Sequence, residues 1–260
     1  METLGVSSAT TPTSKKPLHT DWRVGTVTHI RMEAPGLRSY TFQFDTPIQH
    51  YAGQHYEIRL TSPDGYQAAR LYSAATPANG SANVLQLTIA LMPFGEVSPY
   101  IFNHVRSGSQ LEIRGPLGNY FNWTPAESAP LLLVGGGTGV VPLRAIRLAH
   151  LHERARMPLK LLYSVKNWYD MAYKYELCPA HADCPKDVIM TFTEEAPKGW
   201  TGYARRIDAL MIKEVLASYK QDPHVFVCGP TPFVEASSNL LVAAGLDPAT
   251  IKTERFGPTG

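Results

Sequence analysis

Apolar and polar residues alternate with period two through several short segments of the first half of the chain. Segments 25–30, 39–44, 55–60, 84–90 and 110–114 are of this kind and are rich in Thr, Val, Ile and aromatic residues. Such alternation marks strands with one buried face, and their succession predicts an antiparallel β-barrel. A helix is expected to interrupt it at 98–105, after Gly95. Residues 123–130, mostly proline and small side chains, read as a linker. The rhythm then changes. Segments 131–134, 159–165, 188–193 and 224–228 are nearly continuous apolar runs, as expected of parallel strands covered on both faces. Helical stretches at 142–156, 170–177, 207–220 and 233–244 separate them, and a last strand is expected at 251–256. This predicts a doubly wound α/β domain with a five-stranded parallel sheet following the barrel. The expected division is a disordered tail at 1–17, a barrel at 18–125 and an α/β domain at 126–260.

Composition narrows the function classes. The 260 residues, 44% hydrophobic and 18% charged, suffice for two cores. A formal charge of +2 is too slight to imply nucleic acid or an anionic membrane as partner. No apolar run reaches the about 18 residues of a membrane span. The Ser/Thr/Pro-rich start lacks the basic and apolar regions of a signal peptide, so a cytoplasmic location is expected. Three cysteines, Cys178, Cys184 and Cys228, are too few for an all-thiolate iron–sulfur site. Cys178, His181, Asp183 and Cys184 could form a metal clip. Their crowding into one short stretch favours a plain loop or a redox-labile thiol pair, and no metal is expected.

Several motifs carry chemistry. Arg70-Leu71-Tyr72-Ser73 combines a planar cationic fork, an aromatic phenol and a hydroxyl. Gly95-Glu96-Val97-Ser98 opens the expected helix, whose free amides favour an anion. Gly115-Pro116-Leu117-Gly118, with Phe121, makes a turn leading out of the barrel. Gly135-Gly136-Gly137-Thr138-Gly139 lies between an apolar strand and a helix, the context in which a glycine-rich turn cradles phosphates. Cys228-Gly229-Pro230 ends a parallel strand, where ligands of such sheets bind. Each motif alone also has a bland explanation: an exposed strand end, an ordinary helix cap, a close-packed turn, a buried thiol.

In this order, the motifs resemble the ferredoxin–NADP reductase superfamily from about residue 20 to the C-terminus. The resemblance implies an FAD-dependent NAD(P)H oxidoreductase without a fused iron–sulfur domain. Arg70, Leu71, Tyr72, Ser73, Ile89, Gly95, Val97 and Ser98 would hold FAD, with Ser73 at flavin N5. Gly137, Thr138, Gly139, Cys228, Gly229 and Pro230 would hold the nicotinamide coenzyme. Thr253-Glu254-Arg255-Phe256-Gly257 matches members that end just after Glu-Arg-Phe-Gly. Glu254 would then approach the nicotinamide and Phe256 the flavin, although Gly257–Gly260 extend beyond the position of a stacking aromatic. Ser73, Cys228 and Glu254 are the expected catalytic residues.

Family members reading Tyr-Ser-x-Arg after the second parallel strand are suited to NADPH. Here Ser164 and Lys166, with Arg205 and Arg206 nearby, make NADPH the expected coenzyme and NADH the alternative. The implied acceptor is a separate redox protein such as a ferredoxin, flavodoxin or oxygenase component. A nucleotide-binding electron-transfer or regulatory subunit with little activity of its own is the second reading, and an α/β binding protein without flavin the third.

Overall fold

The computed structural model describes residues 21–77, 83–179 and 184–257. The expected tail at 1–17, His181, Asp183 and residues 258–260 lie outside them. The first half forms β1 (Trp22–Ala34), β2 (Leu37–Gln43), β3 (His55–Thr61), β4 (Gln67–Ser73), β5 (Val84–Ala90), α1 (Val97–His104) and β6 (Gln110–Leu117). These six strands pair in the order β4-β3-β6-β1-β2-β5, every pair antiparallel. The two edges meet at an Ala74–Leu87 bridge, and the Ala75 amide donates to the Gln86 carbonyl at 2.8 Å. That short seam joins the two edge strands at one corner of the barrel. Leu85, Leu87 and Ile89 of β5 point into the barrel core with Tyr40, Phe42, Ile58 and Ile113.

The second half forms β7 (Leu131–Gly136), α2 (Val140–His152), β8 (Leu159–Asn167), α3 (Lys174–Leu177), β9 (Val188–Glu195), α4 (Ala209–Leu216), β10 (His224–Pro230), α5 (Thr231–Ala243) and β11 (Ile251–Phe256). Its sheet is parallel, in the order β11-β10-β7-β8-β9. Apolar residues along each strand divide between two cores. Leu132, Val134, Val225 and Val227 pack with α4 and α5. Leu131, Leu133, Phe226 and Cys228 pack with α2 and also with Ala34, Leu37, Ala75, Phe121 and Trp123 from the first half. One core therefore crosses the boundary between the halves. Burying both faces explains why these strands read as continuous apolar runs.

Several elements differ from the sequence expectation: α2 ends at His152 rather than 156, and α4 covers Ala209–Leu216 rather than 207–220. The periodicity did not single out β4, because its residues are half-buried or exposed with no clean alternation. The helix expected at 170–177 begins only at Lys174, because Tyr173 adopts a left-handed backbone with φ 54°. Helix α4 starts at Ala209, capped by the Asp208 carboxylate accepting from the Met211 amide at 2.8 Å. No helix among the described residues is long and apolar enough to cross a membrane.

Candidate cofactor cleft

The site is built where the barrel meets the C-terminal ends of the parallel strands. On the barrel side, β4 presents Arg70 and Leu71 to solvent and leaves Tyr72 and Ser73 half-buried. The Tyr72 ring leans on the barrel core, and burial pushes its phenol up to about 12. Arg70 stands 3.9 Å from Glu96, the residue immediately before α1. The Arg70 fork and the α1 N-terminus thus share one corner. No side chain caps α1, so its first amides remain available to an anion. Gly95 makes the tight turn there, its amide donating to the Met92 carbonyl at 2.8 Å. Val97 is buried in the barrel core. Ser98 is buried too, and its hydroxyl accepts from the Met92 amide at 2.9 Å, so it braces the turn rather than facing outward. Ile89 points into the barrel core, and its side chain is not presented to a ligand.

On the other side, the turn after β7 is pressed against the end of β10. A Cβ on Gly139 would lie 2.1 Å from the Cys228 carbonyl oxygen, so only glycine fits. Gly136 and Gly229 are likewise closed in by the Phe233 ring. Gly137 is the opposite: it has φ +54° and nothing within 4 Å of a built Cβ. Gly137 and Thr138 are half-exposed, and no side chain caps α2 behind them. The turn is locked underneath and open above.

His55, which sequence reasoning did not single out, links the two sides. In the β3–β4 ladder His55 lies directly opposite Ser73. Its ring sits 3.7 Å from the Glu254 carboxylate. Glu254 is the register partner of Cys228, and Cys228 abuts Gly139. Ser73, His55, Glu254, Cys228 and Gly139 therefore form one continuous path across the boundary. Room for the imidazole comes from Gly118, where a Cβ would meet the ring at 2.8 Å. The Gly-Pro-x-Gly turn is thus shaped around this histidine. The signal available in the sequence was position: His55 opens a strand just after Gly53-Gln54.

The path is half-buried at Ser73, His55 and Glu254 and fully buried at Cys228. Burial raises the Glu254 carboxyl to about 7 and lowers the His55 imidazole below its ordinary value. Near neutrality the two meet as a weakly charged pair rather than an ion pair. One Glu254 carboxyl oxygen, Oε2, is buried without a hydrogen-bond partner. Burial first, and the neighbouring Glu254 second, push the Cys228 thiol well up, which keeps it protonated and unreactive. Pro230 is exposed at the strand end, with Phe256 half-buried beside it in register.

The remaining expected residues gather elsewhere, at the β8–β9 end. Ser164 is buried opposite Thr191, whose hydroxyl donates to the Arg205 carbonyl. Lys166 is paired with Glu194 at 3.1 Å and Arg205 with Asp208 at 2.5 Å, while Arg206 is exposed. Cys178 and Cys184 are joined as a disulfide, and no group of three or more metal-ligating side chains occurs among the described residues.

Comparison with known proteins agrees with this architecture. Residues 25–122 match the oxidoreductase FAD-binding domain model and residues 133–239 the oxidoreductase NAD-binding domain model. The chain is 30% identical over 220 residues to NADH-cytochrome b5 reductase 1 of Mortierella alpina, covering 82% of this chain and 72% of that one. The chain belongs to the ferredoxin–NADP reductase superfamily. Among its superfamily relatives is the glycine betaine monooxygenase reductase subunit of Chromohalobacter salexigens, 25% identical over 88% of this chain. This chain spans only 63% of that relative's length. A superfamily ferredoxin NADP+ reductase from Neisseria gonorrhoeae, solved with FAD and NADP bound, shares the fold with a TM-score of 0.74 at 17% identity. The alignment covers 90% of this chain and 98% of that one.

The residues present fit both cofactors of the superfamily. An exposed guanidinium beside an uncapped helix suits a pyrophosphate. The open face above Gly137 suits a second one. The orphaned Glu254 oxygen lies in the crevice between them.

Proposed function

We propose that this chain is an NAD(P)H-dependent flavoprotein reductase that hands electrons to a separate redox protein, such as a ferredoxin, flavodoxin or oxygenase component. The observation that carries the reading is the continuous path from Ser73 through His55 and Glu254 to Cys228 and Gly139. In this reading 18–125 is the flavin half, 126–260 the nicotinamide half, and the setting is cytoplasmic. A bound flavin would accept a hydride and release electrons singly. The protein's part is to bind, orient and keep water out. Arg70, the first amides of α1 and the backbone near Gly95 and Val97 hold the flavin phosphates, with Leu71 and Tyr72 walling the ring. Ser73 offers its hydroxyl at the reacting edge. Gly137, Thr138 and Gly139 hold the coenzyme pyrophosphate. Cys228, Gly229 and Pro230 shape the nicotinamide pocket, with Phe256 at its rim. Glu254, poised near neutrality, holds or releases a proton at its free oxygen.

Two specific points refine the reading. Lys166 and Arg205 are both engaged by carboxylates, so a 2′-phosphate would have to displace Glu194 and Asp208 from them. A ribose 2′-hydroxyl would instead find Glu194 as an acceptor. Both pairs are exposed and weak enough to exchange for a 2′-phosphate, and Arg206 is exposed beside them, so NADPH stays the expected coenzyme and NADH the alternative. The test is anaerobic mixing with each coenzyme separately while the visible flavin absorbance is followed, with dye reduction measured in parallel. Bleaching by NADPH faster than by NADH is the expected result. A flavin-loaded protein that neither coenzyme bleaches would support the regulatory-subunit reading instead, and a chain that takes up no FAD would overturn both.

A further inference from the structure

Resting on that reading, we propose that Tyr173 and Arg144 are positioning residues that set how the nicotinamide half approaches the flavin half, by gripping the seam at which the barrel closes. The outward face of β5, Gln86, Thr88 and Ala90, points across the boundary, while Leu85, Leu87 and Ile89 point inward. Arg144 lies in α2, the helix that springs directly from the Gly137–Gly139 turn. It is buried to 8% exposure. Its Nη1 donates to the Ala75 carbonyl at 2.7 Å and to Gln86 Oε1 at 3.1 Å. One guanidinium thus holds both sides of the barrel seam, two residues from Ser73. Its other edge is held by the Glu176 carboxylate at 2.5 to 2.9 Å, and its plane lies over the Tyr173 ring, 4.4 Å from the centroid.

Tyr173 carries the second grip. Its hydroxyl meets Thr88 Oγ1 at 2.6 Å, and Thr88 meets Ser39 Oγ at 2.8 Å. Ser39 donates to the Glu33 carboxylate at 2.6 Å. The direction of the whole chain follows from hydroxyls having one proton each. Since Ser39 gives its proton to Glu33, it accepts from Thr88, and Thr88 accepts from Tyr173. Glu33 is itself fixed by Arg31 at 2.8 and 3.0 Å. Every proton in this buried run is assigned, from β1 through β2 and β5 to the start of α3. Tyr173 also holds φ 54°, a left-handed backbone that non-glycine residues rarely adopt. A strained, buried residue fully engaged across a boundary points to a geometric duty. Displacing a reacting group by about 1 Å costs up to about a hundredfold in rate.

The test is Tyr173→Phe in the flavin-loaded protein. It removes the hydroxyl and keeps the ring beneath Arg144. The limiting rate of flavin reduction should fall about tenfold while the coenzyme Kd stays unchanged. Thr88→Val should give the same fall, and the double variant no more than either single. Hydrogen exchange should quicken at residues 74–76 and 86–88. Tyr175→Phe, exposed on the same short helix, should alter none of these. A Tyr173→Phe protein that loses thermal stability yet reduces its flavin at the native rate would overturn the proposal. If the native protein is not reduced by either coenzyme, the functional reading fails on its own. The exchange measurement still decides this inference, and unchanged protection at 74–76 and 86–88 would reject it.

Discussion

On β4 the groups facing solvent are side chains, Arg70 and Leu71, set on a strand with room around them. Across the boundary, at Gly135–Gly139, the facing surface is backbone, wedged so tightly against Cys228 and Phe233 that Gly136 and Gly139 admit no Cβ. The two halves of the cleft therefore hold ligands by different means. The barrel side uses a charge and a ring, which can be deleted one at a time with little harm to the fold. The parallel-sheet side uses chain shape, which cannot be altered without moving the sheet. Function and stability should separate on the first and stay coupled on the second.

Gly139→Ala is the harshest test of that contrast. With the Cys228 carbonyl 2.1 Å from the new carbon, destabilisation of about 3 kcal/mol is expected, read by denaturant unfolding, together with loss of coenzyme-driven bleaching. A variant of native stability would show that the turn can shift and that the two sides are alike. Arg70→Ala is the converse. Because the side chain is 58% exposed, stability should hold, while FAD affinity measured by reconstitution should drop roughly tenfold to a hundredfold.

Glu254→Gln probes the ground between. With the native carboxyl raised to about 7, the reduction rate should show a step near that pH, absent in the variant. The stability effect has a definite sign. The raised value means the folded protein favours the protonated acid, a contribution complete below about 4.5 and lost as pH rises through about 7. Melting curves of native and variant should therefore coincide in acid, with the variant the more stable above neutrality. Gly137→Ala is the mildest. There the space is open and only the left-handed backbone resists, so about 1 kcal/mol is expected, with weakened coenzyme binding exceeding the loss of stability.

The same contrast explains what could be read from the sequence. The strands at Val84–Ala90 and Ile251–Phe256 were legible to the residue, because burial writes itself into local periodicity. The glycine-rich turn was legible because its flanking strand and helix are local too. The β4 strand was not, since a face kept open carries no apolar signature. His55, Arg144 and Tyr173 were invisible for another reason. Their partners, Glu254, Ala75 and Thr88, arrive from distant parts of the chain, and no spacing within one segment encodes them. The stretch from Cys178 to Cys184 is compatible in sequence with a plain loop, a thiol pair or a metal clip. The disulfide was not specified by the seven-residue stretch itself.

The barrel seam has a further consequence for how the molecule comes apart. A six-stranded barrel whose edges meet only at the Ala74–Leu87 bridge and the Ala75–Gln86 hydrogen bond is braced at that seam by Arg144 of the other half, bonded to Ala75 and Gln86. The shared core around Ala75, Phe121 and Trp123 adds to the dependence. Melting one half exposes the other's weakest join, so the two sheets should lose structure in a single cooperative transition, and the architecture counts as two modules in sequence but one unit in thermodynamics.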